Sequence, residues 1–148
     1  MVSTAEALPP RPVPDSDTQP FWDAVGERRL VVPKCTSCGT WIWQPRPMCP
    51  DCHTPDPAWT EVTGDGGVVS WTVLHPPVLP VWSEQLPFVV LLVELDEGVR
   101  MIGHLVDDRG KLLRTDGSAE GIDFGTRVEL RWRQDESGQT LPAWSPVG

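Results

Sequence analysis

Residues 35–52 read CTSCGTWIWQPRPMCPDC, two Cys-x-x-Cys pairs ten residues apart, and the chain holds no other cysteine. A Cys-x-x-Cys turn aims two sulfurs at one ion, so two such turns complete a tetrahedral four-thiolate shell. The spacing therefore predicts one metal centre built from Cys35, Cys38, Cys49 and Cys52. Gly39 behind the first pair and Pro50 inside the second suit the tight turns that such knuckles need. Four thiolates suit zinc or iron, and the sequence alone does not separate the two. A catalytic zinc keeps a position open, whereas four cysteines close the shell, so the site is expected to be structural. A redox role would want a single pair beside a βαβ unit, and no such pattern is present. His53, directly after the last cysteine, reads as a solvated residue beside the site rather than a ligand.

Around this knuckle the chain divides into an arm over 1–16, a helix and lead-in strand over 17–34, the metal module over 35–56 and a β domain over 57–148. The arm is rich in proline and small residues and is expected to be mobile or draped. In DTQPFWDAVG, Asp17 or Thr18 can cap a helix with Pro20 in its first turn; Phe21, Trp22 and Val25 lie on one side and Gly26 ends it. LVVPKC (30–35) reads as a strand into the knuckle and WIWQP (41–45) as the return strand. After TPDPAW the pattern turns to strands: AWTEV (58–62), GVVSWTVLH (67–75), FVVLLVEL (88–95), VRMIGHLV (99–106), TRVELRWR (126–133) and LPAW (141–144). In TRVELRWR, Val128, Leu130 and Trp132 alternate with Arg127, Glu129, Arg131 and Arg133, which predicts a half-buried strand with a basic outer face. Val69, Trp71 and Val73 are the expected inward set of GVVSWTVLH, and FVVLLVEL is apolar enough to be central. About five strands with one helix outside predict a small closed barrel in a mainly β protein.

The formal net charge is −9, with 5 basic and 7 acidic residues over 1–56 but 7 and 14 over 57–148. That balance argues against nucleic acid as a partner, because such binding relies on neutralising phosphates. The alternative, a single-strand-binding barrel, rests on Arg127, Arg131 and Arg133. The longest apolar run, FVVLLV, is too short to span a bilayer, and the first residues lack a secretory pattern, which points to the cytosol. His75 and His104 read as hydrogen-bonded structural histidines, and Ser70 lacks a nucleophile-elbow setting. Proline-rich HPPVLPVWSEQLP (75–87) is too long for a hairpin turn and is a candidate contact segment.

Several stretches in this order, PFWDAVGERRLVVPKC, QPRPMCPDC, GDGGVVSWTVLH, PFVVLLVELDEGVRMIGHL, FGTRVEL and LPAWSP, resemble a known family over roughly residues 20–146. It is the family of zinc-ribbon plus OB-fold proteins catalogued as domain of unknown function 35. The resemblance implies an N-terminal helix, a rubredoxin-like zinc ribbon with structural zinc, and a C-terminal OB-fold barrel. It also implies a non-catalytic partner of a thiolase or a lipid-transfer-protein-like retro-aldolase acting on acyl-CoA thioesters. Steroid side-chain degradation is one branch, and an acyl-CoA hydratase is a further partner class. Any nucleophile and base would then belong to the partner. An acyl-CoA ligand would need cations for its phosphates and aromatic faces for its adenine. Arg28, Lys34 and Arg46 with Trp41 and Trp43 are the candidates, since only there do basic and aromatic residues mix. Eight tryptophans are hard to bury in a chain this small, so Trp22, Trp82 and Trp144 are candidate partner contacts.

Overall fold

A computed structural model describes residues 8–148. The expected arm thus lies partly outside the described residues. Its described part touches the barrel at Arg11, whose guanidinium donates to the Ser137 hydroxyl, 3.2 Å away, and to the Ser137 carbonyl.

Helix α1 spans Gln19–Gly26 with Thr18 at its N-cap. Neither candidate cap bonds the helix start through its side chain; the turn before it is organised by Asp15 instead. The Asp15 carboxylate accepts the backbone N–H of Asp17 and Thr18, at 3.1 and 2.9 Å, and the Thr18 hydroxyl at 2.7 Å. Phe21, Ala24 and Val25 form the buried face, while Trp22 is only half-buried. The helix ends as predicted after Gly26, with Arg28 turning the chain at φ 59°.

Strand β1 (Val31–Lys34) pairs antiparallel with β2 (Ala58–Glu61), Val32 opposite Thr60. AWTEV, expected among the barrel strands, therefore closes the small sheet around the knuckle instead. WIWQP makes only a bridge from Trp41 to Lys34 and does not extend as a strand. Pro45 and Pro47 help explain this, since a proline carries no N–H for a ladder.

The larger sheet has five strands: β3 (Gly66–Leu74), β4 (Phe88–Leu95), β5 (Arg100–His104), β6 (Arg127–Gln134) and β7 (Thr140–Pro146). Their order is β5-β4-β3-β6-β7, with β4 inside the sheet as its composition predicted. A parallel bridge between Leu105 and Trp144, and the Val106 N–H donating to the Trp144 carbonyl at 2.9 Å, join the two outer strands and close the barrel.

Closure depends on Trp144, which is fully buried and donates its indole N–H to the Gly64 carbonyl at 2.7 Å. Its candidacy as a partner contact is thereby overturned: a buried indole needs a hydrogen-bond acceptor, and this one has it inside the barrel. Gly103 makes room for the ring, because a Cβ there would lie 2.5 Å from the Trp144 six-membered ring. In β3 the register shifts between Val68 and Ser70, and the extra residue is Val69. The bulge puts Val68 in the core opposite Val93 in place of the predicted Val69; Val73 packs against the core, while Trp71, also expected inward, is exposed. Among the described residues one core then runs from Phe21, Val25, Leu30 and Val32 through the barrel to Val128 and Trp144. Burying each such aliphatic side chain contributes about 1.5–3 kcal/mol.

Candidate functional site

The two knuckles are near copies of each other. The N–H of Cys35 bonds the Thr40 carbonyl at 2.8 Å and that of Gly39 the Cys35 carbonyl at 3.1 Å. In the second knuckle, the N–H of Cys49 bonds Thr54 and that of His53 bonds Cys49, both at 3.0 Å. Both turns need a left-handed residue after the second cysteine, filled by Gly39 (φ 75°) and by His53 (φ 62°). His53 thus holds a backbone position and is exposed. The hydroxyls of Thr40 and Thr54 sit 3.1 and 3.2 Å from Cys38 Sγ and Cys52 Sγ.

All four sulfurs lie within 4.8 Å of one another, and two of the separations are 3.5 and 3.6 Å. A tetrahedron with metal–sulfur bonds of about 2.3 Å separates sulfurs by roughly 3.8 Å, so the donor set fits a four-thiolate metal. The N–H groups of Ser37 and Cys38 point at Cys35 Sγ from 3.4 and 3.5 Å. With the Cys38 N–H first in effect, they hold the Cys35 thiol below its ordinary range, and the Thr54 hydroxyl and N–H bring Cys52 to about 6. At Cys35 and Cys52 these groups favour the thiolate, the form a metal binds, whereas burial and the neighbouring thiols push Cys49 up to about 11.

The five candidate coenzyme A contacts do not converge on one point. Lys34 Nζ lies over the Trp41 ring, 4.6 Å from its centre. Trp41 and Trp43 line a crevice of about 350 Å³ between the ribbon and the β4–β5 turn, with Glu97 and Arg100 opposite. Arg46 lies elsewhere, lining a crevice with Asp17, Asp56 and Trp59, and Arg28 is exposed on the turn after α1.

The basic row expected along TRVELRWR is not free. Arg127 makes two bonds to the Asp96 carboxylate, at 2.7 and 3.0 Å, and Arg131 pairs with Glu129 at 2.7 Å. Arg133, expected outside, has a side chain only 3% exposed. Its guanidinium lies over Trp82, 5.9 Å from the ring centre, and donates to the Gln85 side-chain carbonyl at 3.3 Å. The proline-rich segment folds over it as a 3-10 turn, Pro80–Gln85, which is why β6 alternation misplaced it. This arrangement removes the feature on which single-strand binding rested.

His104 is packed with Trp82 and Phe88, ring centres 6.2 and 5.4 Å away, and makes no side-chain hydrogen bond among the described residues. The expected hydrogen-bonded histidine is thus an aromatic-packed one. Burial, with Arg133 adding to it, pushes its imidazole down to about 4, so it is neutral at pH 7. His75 is exposed.

A larger cleft, of about 480 Å³, lies where α1, the knuckle and the barrel meet. Phe21, Trp22 and Trp43 overhang one side, and Val90, Leu92 and Ile102 on the outer faces of β4 and β5 form the other. Sequence periodicity gave no signal for it beyond the apolar outward residues of FVVLLVEL, because its walls come from three separate segments.

Two family models match the chain: the rubredoxin-like zinc ribbon domain of ChsH2 over residues 22–58, and its C-terminal OB-fold domain over 59–133. A "DUF35 domain-containing scaffold protein" of Methanocaldococcus jannaschii is 34% identical over 116 residues, covering 76% of this chain and 74% of the relative. The chain belongs to this DUF35/ChsH2 family of zinc-ribbon and OB-fold proteins. A "probable enoyl-CoA hydratase alpha subunit" of Thermomonospora curvata is 36% identical over 142 residues, or 96% of this chain. The chain spans only 41% of that relative's length. The solved "Ltp2-ChsH2(DUF35) aldolase" contains a similar chain, with 34% identity and a TM-score of 0.78 over 92% of this chain and 98% of that one. No helix among the described residues is long and apolar enough to cross a membrane.

Proposed function

We propose that this chain is a non-catalytic subunit that binds and stabilises a thiolase-superfamily enzyme, a thiolase or a lipid-transfer-protein-like retro-aldolase, acting on acyl-CoA thioesters. The observation that carries the reading is the nearly end-to-end likeness to the chain in the Ltp2-ChsH2(DUF35) aldolase. The relative named as an enoyl-CoA hydratase alpha subunit supports the thioester context. The distribution of tryptophan supports a partner as well: Trp144 is buried, but Trp22, Trp41, Trp43, Trp59, Trp82 and Trp132 are half-buried and Trp71 is 39% exposed. Part-buried indoles are the side chains that interfaces bury to greatest effect. Within this reading the zinc centre is a strut, and Lys34, Trp41 and Trp43 hold part of the coenzyme A moiety.

Co-expression with a thiolase-superfamily enzyme, where one is encoded as a genomic neighbour, tests the partner role. The expected result is one complex on gel filtration, with enzyme activity that falls at least tenfold when this chain is left out. A neighbour that stays fully active and monodisperse alone would overturn the reading. For the ligand, calorimetry of the complex with coenzyme A should show weaker binding for Lys34→Ala and unchanged binding for Arg46→Ala. Equal affinity in wild type and Lys34→Ala removes the ligand part.

A further inference from the structure

The outer face of an antiparallel sheet that meets water is normally polar. On this barrel that holds towards the β4–β5 turn, where Glu94 and Arg100 stand opposite each other. It fails one step further along, where Leu92 faces Ile102 and Val90 faces His104, and where Ile102 is 70% exposed. Val90, Leu92 and Ile102 line the part that the aromatic residues of α1 and the knuckle overhang, and on their other side they border a second crevice beside Trp71. Phe21 packs on Trp22 edge-on and on Trp43 at a tilt, with ring centres 5.0 Å apart in both pairs. Each ring fixes the next, so this wall is in place before anything binds.

Concavity, size and charge narrow the occupant. Walls from three elements converge on a volume within the roughly 300–1,000 Å³ of small-molecule sites. Burial keeps His104 neutral at pH 7, which leaves Arg100 as the one charged residue on the lining. Arg100 also lines the crevice that holds Trp41 and Trp43, so it stands where the two spaces adjoin. Its Nε is bonded to Glu94 at 2.8 Å, and its terminal nitrogens make no other hydrogen bond among the described residues. A neutral apolar slot that meets, beside the Glu94-paired Arg100, an aromatic crevice also lined by Glu97 matches an amphiphile, apolar at one end and polar at the other.

We propose that this cleft takes the apolar acyl portion of an acyl thioester, with the Arg100 guanidinium meeting the polar part where the acyl chain leaves the slot. The inference rests on the acyl-CoA reading above and names which part of that ligand this chain holds. Ile102 forms the floor and Trp22 and Trp43 the roof, so a flat or extended hydrocarbon lies between indole faces and the sheet.

The test uses the full chain, alone and in complex, titrated with decanoyl-CoA and with free coenzyme A by calorimetry and tryptophan fluorescence. Decanoyl-CoA should bind about tenfold or more tighter than coenzyme A, since every buried methylene tightens binding by about fourfold. Ile102→Lys, at an exposed strand position, should erase that difference, leave coenzyme A affinity and the melting temperature unchanged, and still co-purify with the partner enzyme. Ile102→Val should keep the difference. Equal affinity for the two ligands, no binding of either, or an acyl preference that survives Ile102→Lys overturns the inference. Loss of the complex in Ile102→Lys without any acyl preference in wild type also overturns it, and makes the cleft a docking face for the partner. An acyl preference in a chain that forms no complex would instead sink the partner reading and leave this one standing.

Discussion

Between Cys35 and Asp56 the chain has only Cys35, Ile42 and Cys49 in a buried cluster of its own, whereas α1, β1 and the barrel share one core from Phe21 to Trp144. Both regions are built of short β elements and tight turns. The knuckle replaces a hydrophobic core with metal–sulfur bonds, because so few residues cannot bury enough apolar surface to offset their ordering entropy. The barrel has that surface, and it spends specific residues, Gly103 and Trp144, on closing the sheet. Helix α1 and β1 precede the knuckle in sequence yet pack with the barrel, so the knuckle is a clip fastened to a body that includes its own lead-in.

Metal removal should separate the two regions most sharply. A structural four-thiolate zinc contributes apparent binding free energies of about 10–16 kcal/mol, so chelation should unfold residues 35–56. Amide exchange should show protection lost in the knuckle and retained in β3, β4 and β6. Loss of protection throughout would mean that the barrel core cannot stand without the clip.

The converse change is Trp144→Ala, which removes the barrel's largest fully buried side chain and leaves the Gly64 carbonyl without its donor. A loss of about 3–5 kcal/mol in denaturant unfolding is expected, with metal content per folded chain unchanged. A cost under about 1 kcal/mol would show that the bridge between β5 and β7 does not hold the barrel closed.

Acid should act on the barrel through His104. Its imidazole titrates near 4 when folded, below the ordinary 6.5, so between those values the unfolded chain binds a proton that the folded chain does not. Stability from this group is therefore complete above about pH 6.5 and is lost as pH falls towards 4, up to about 3 kcal/mol in all. Asp15, held down by the Thr18 hydroxyl, and Asp96, held down by the Arg127 guanidinium, lose their contributions only below the ordinary 3.8, outside that window. Melting temperatures at pH 7.5 and 5 should differ less for His104→Leu than for wild type. An identical pH dependence in both would place the titrating group elsewhere.

The smallest effect falls in the knuckle. His53 occupies the left-handed position that Gly39 fills in the other turn, at a conformational cost of about 1–2 kcal/mol for a residue with a Cβ. His53→Gly should raise apparent stability by up to about 1 kcal/mol, and Gly39→Ala should lower it by about as much. Metal stoichiometry should be the same in both variants, as checked by a zinc-release assay. Metal loss in His53→Gly would restore His53 as a ligand.

The sequence by itself determined the features whose physics is local. Two Cys-x-x-Cys turns can hardly do other than bind a metal in a chain of this kind. The period of two in TRVELRWR placed Val128 in the core, and the unbroken apolar run of FVVLLVEL placed β4 inside the sheet. Helix α1 ended where Gly26 predicted. What only the tertiary structure decided depends on segments far apart in the chain. Arg133 is buried because a loop some fifty residues earlier folds over it, with Gln85 as its acceptor. Trp144 became a closure rather than a contact because Gly103 leaves room for its ring and Gly64, eighty positions away, offers a carbonyl. AWTEV pairs with β1, from the far side of the knuckle, rather than with the barrel strands that follow it. The apolar cleft exists only where helix, knuckle and strand meet. Periodicity reports which face of one element is apolar, and it carries no information on what lies across from that face.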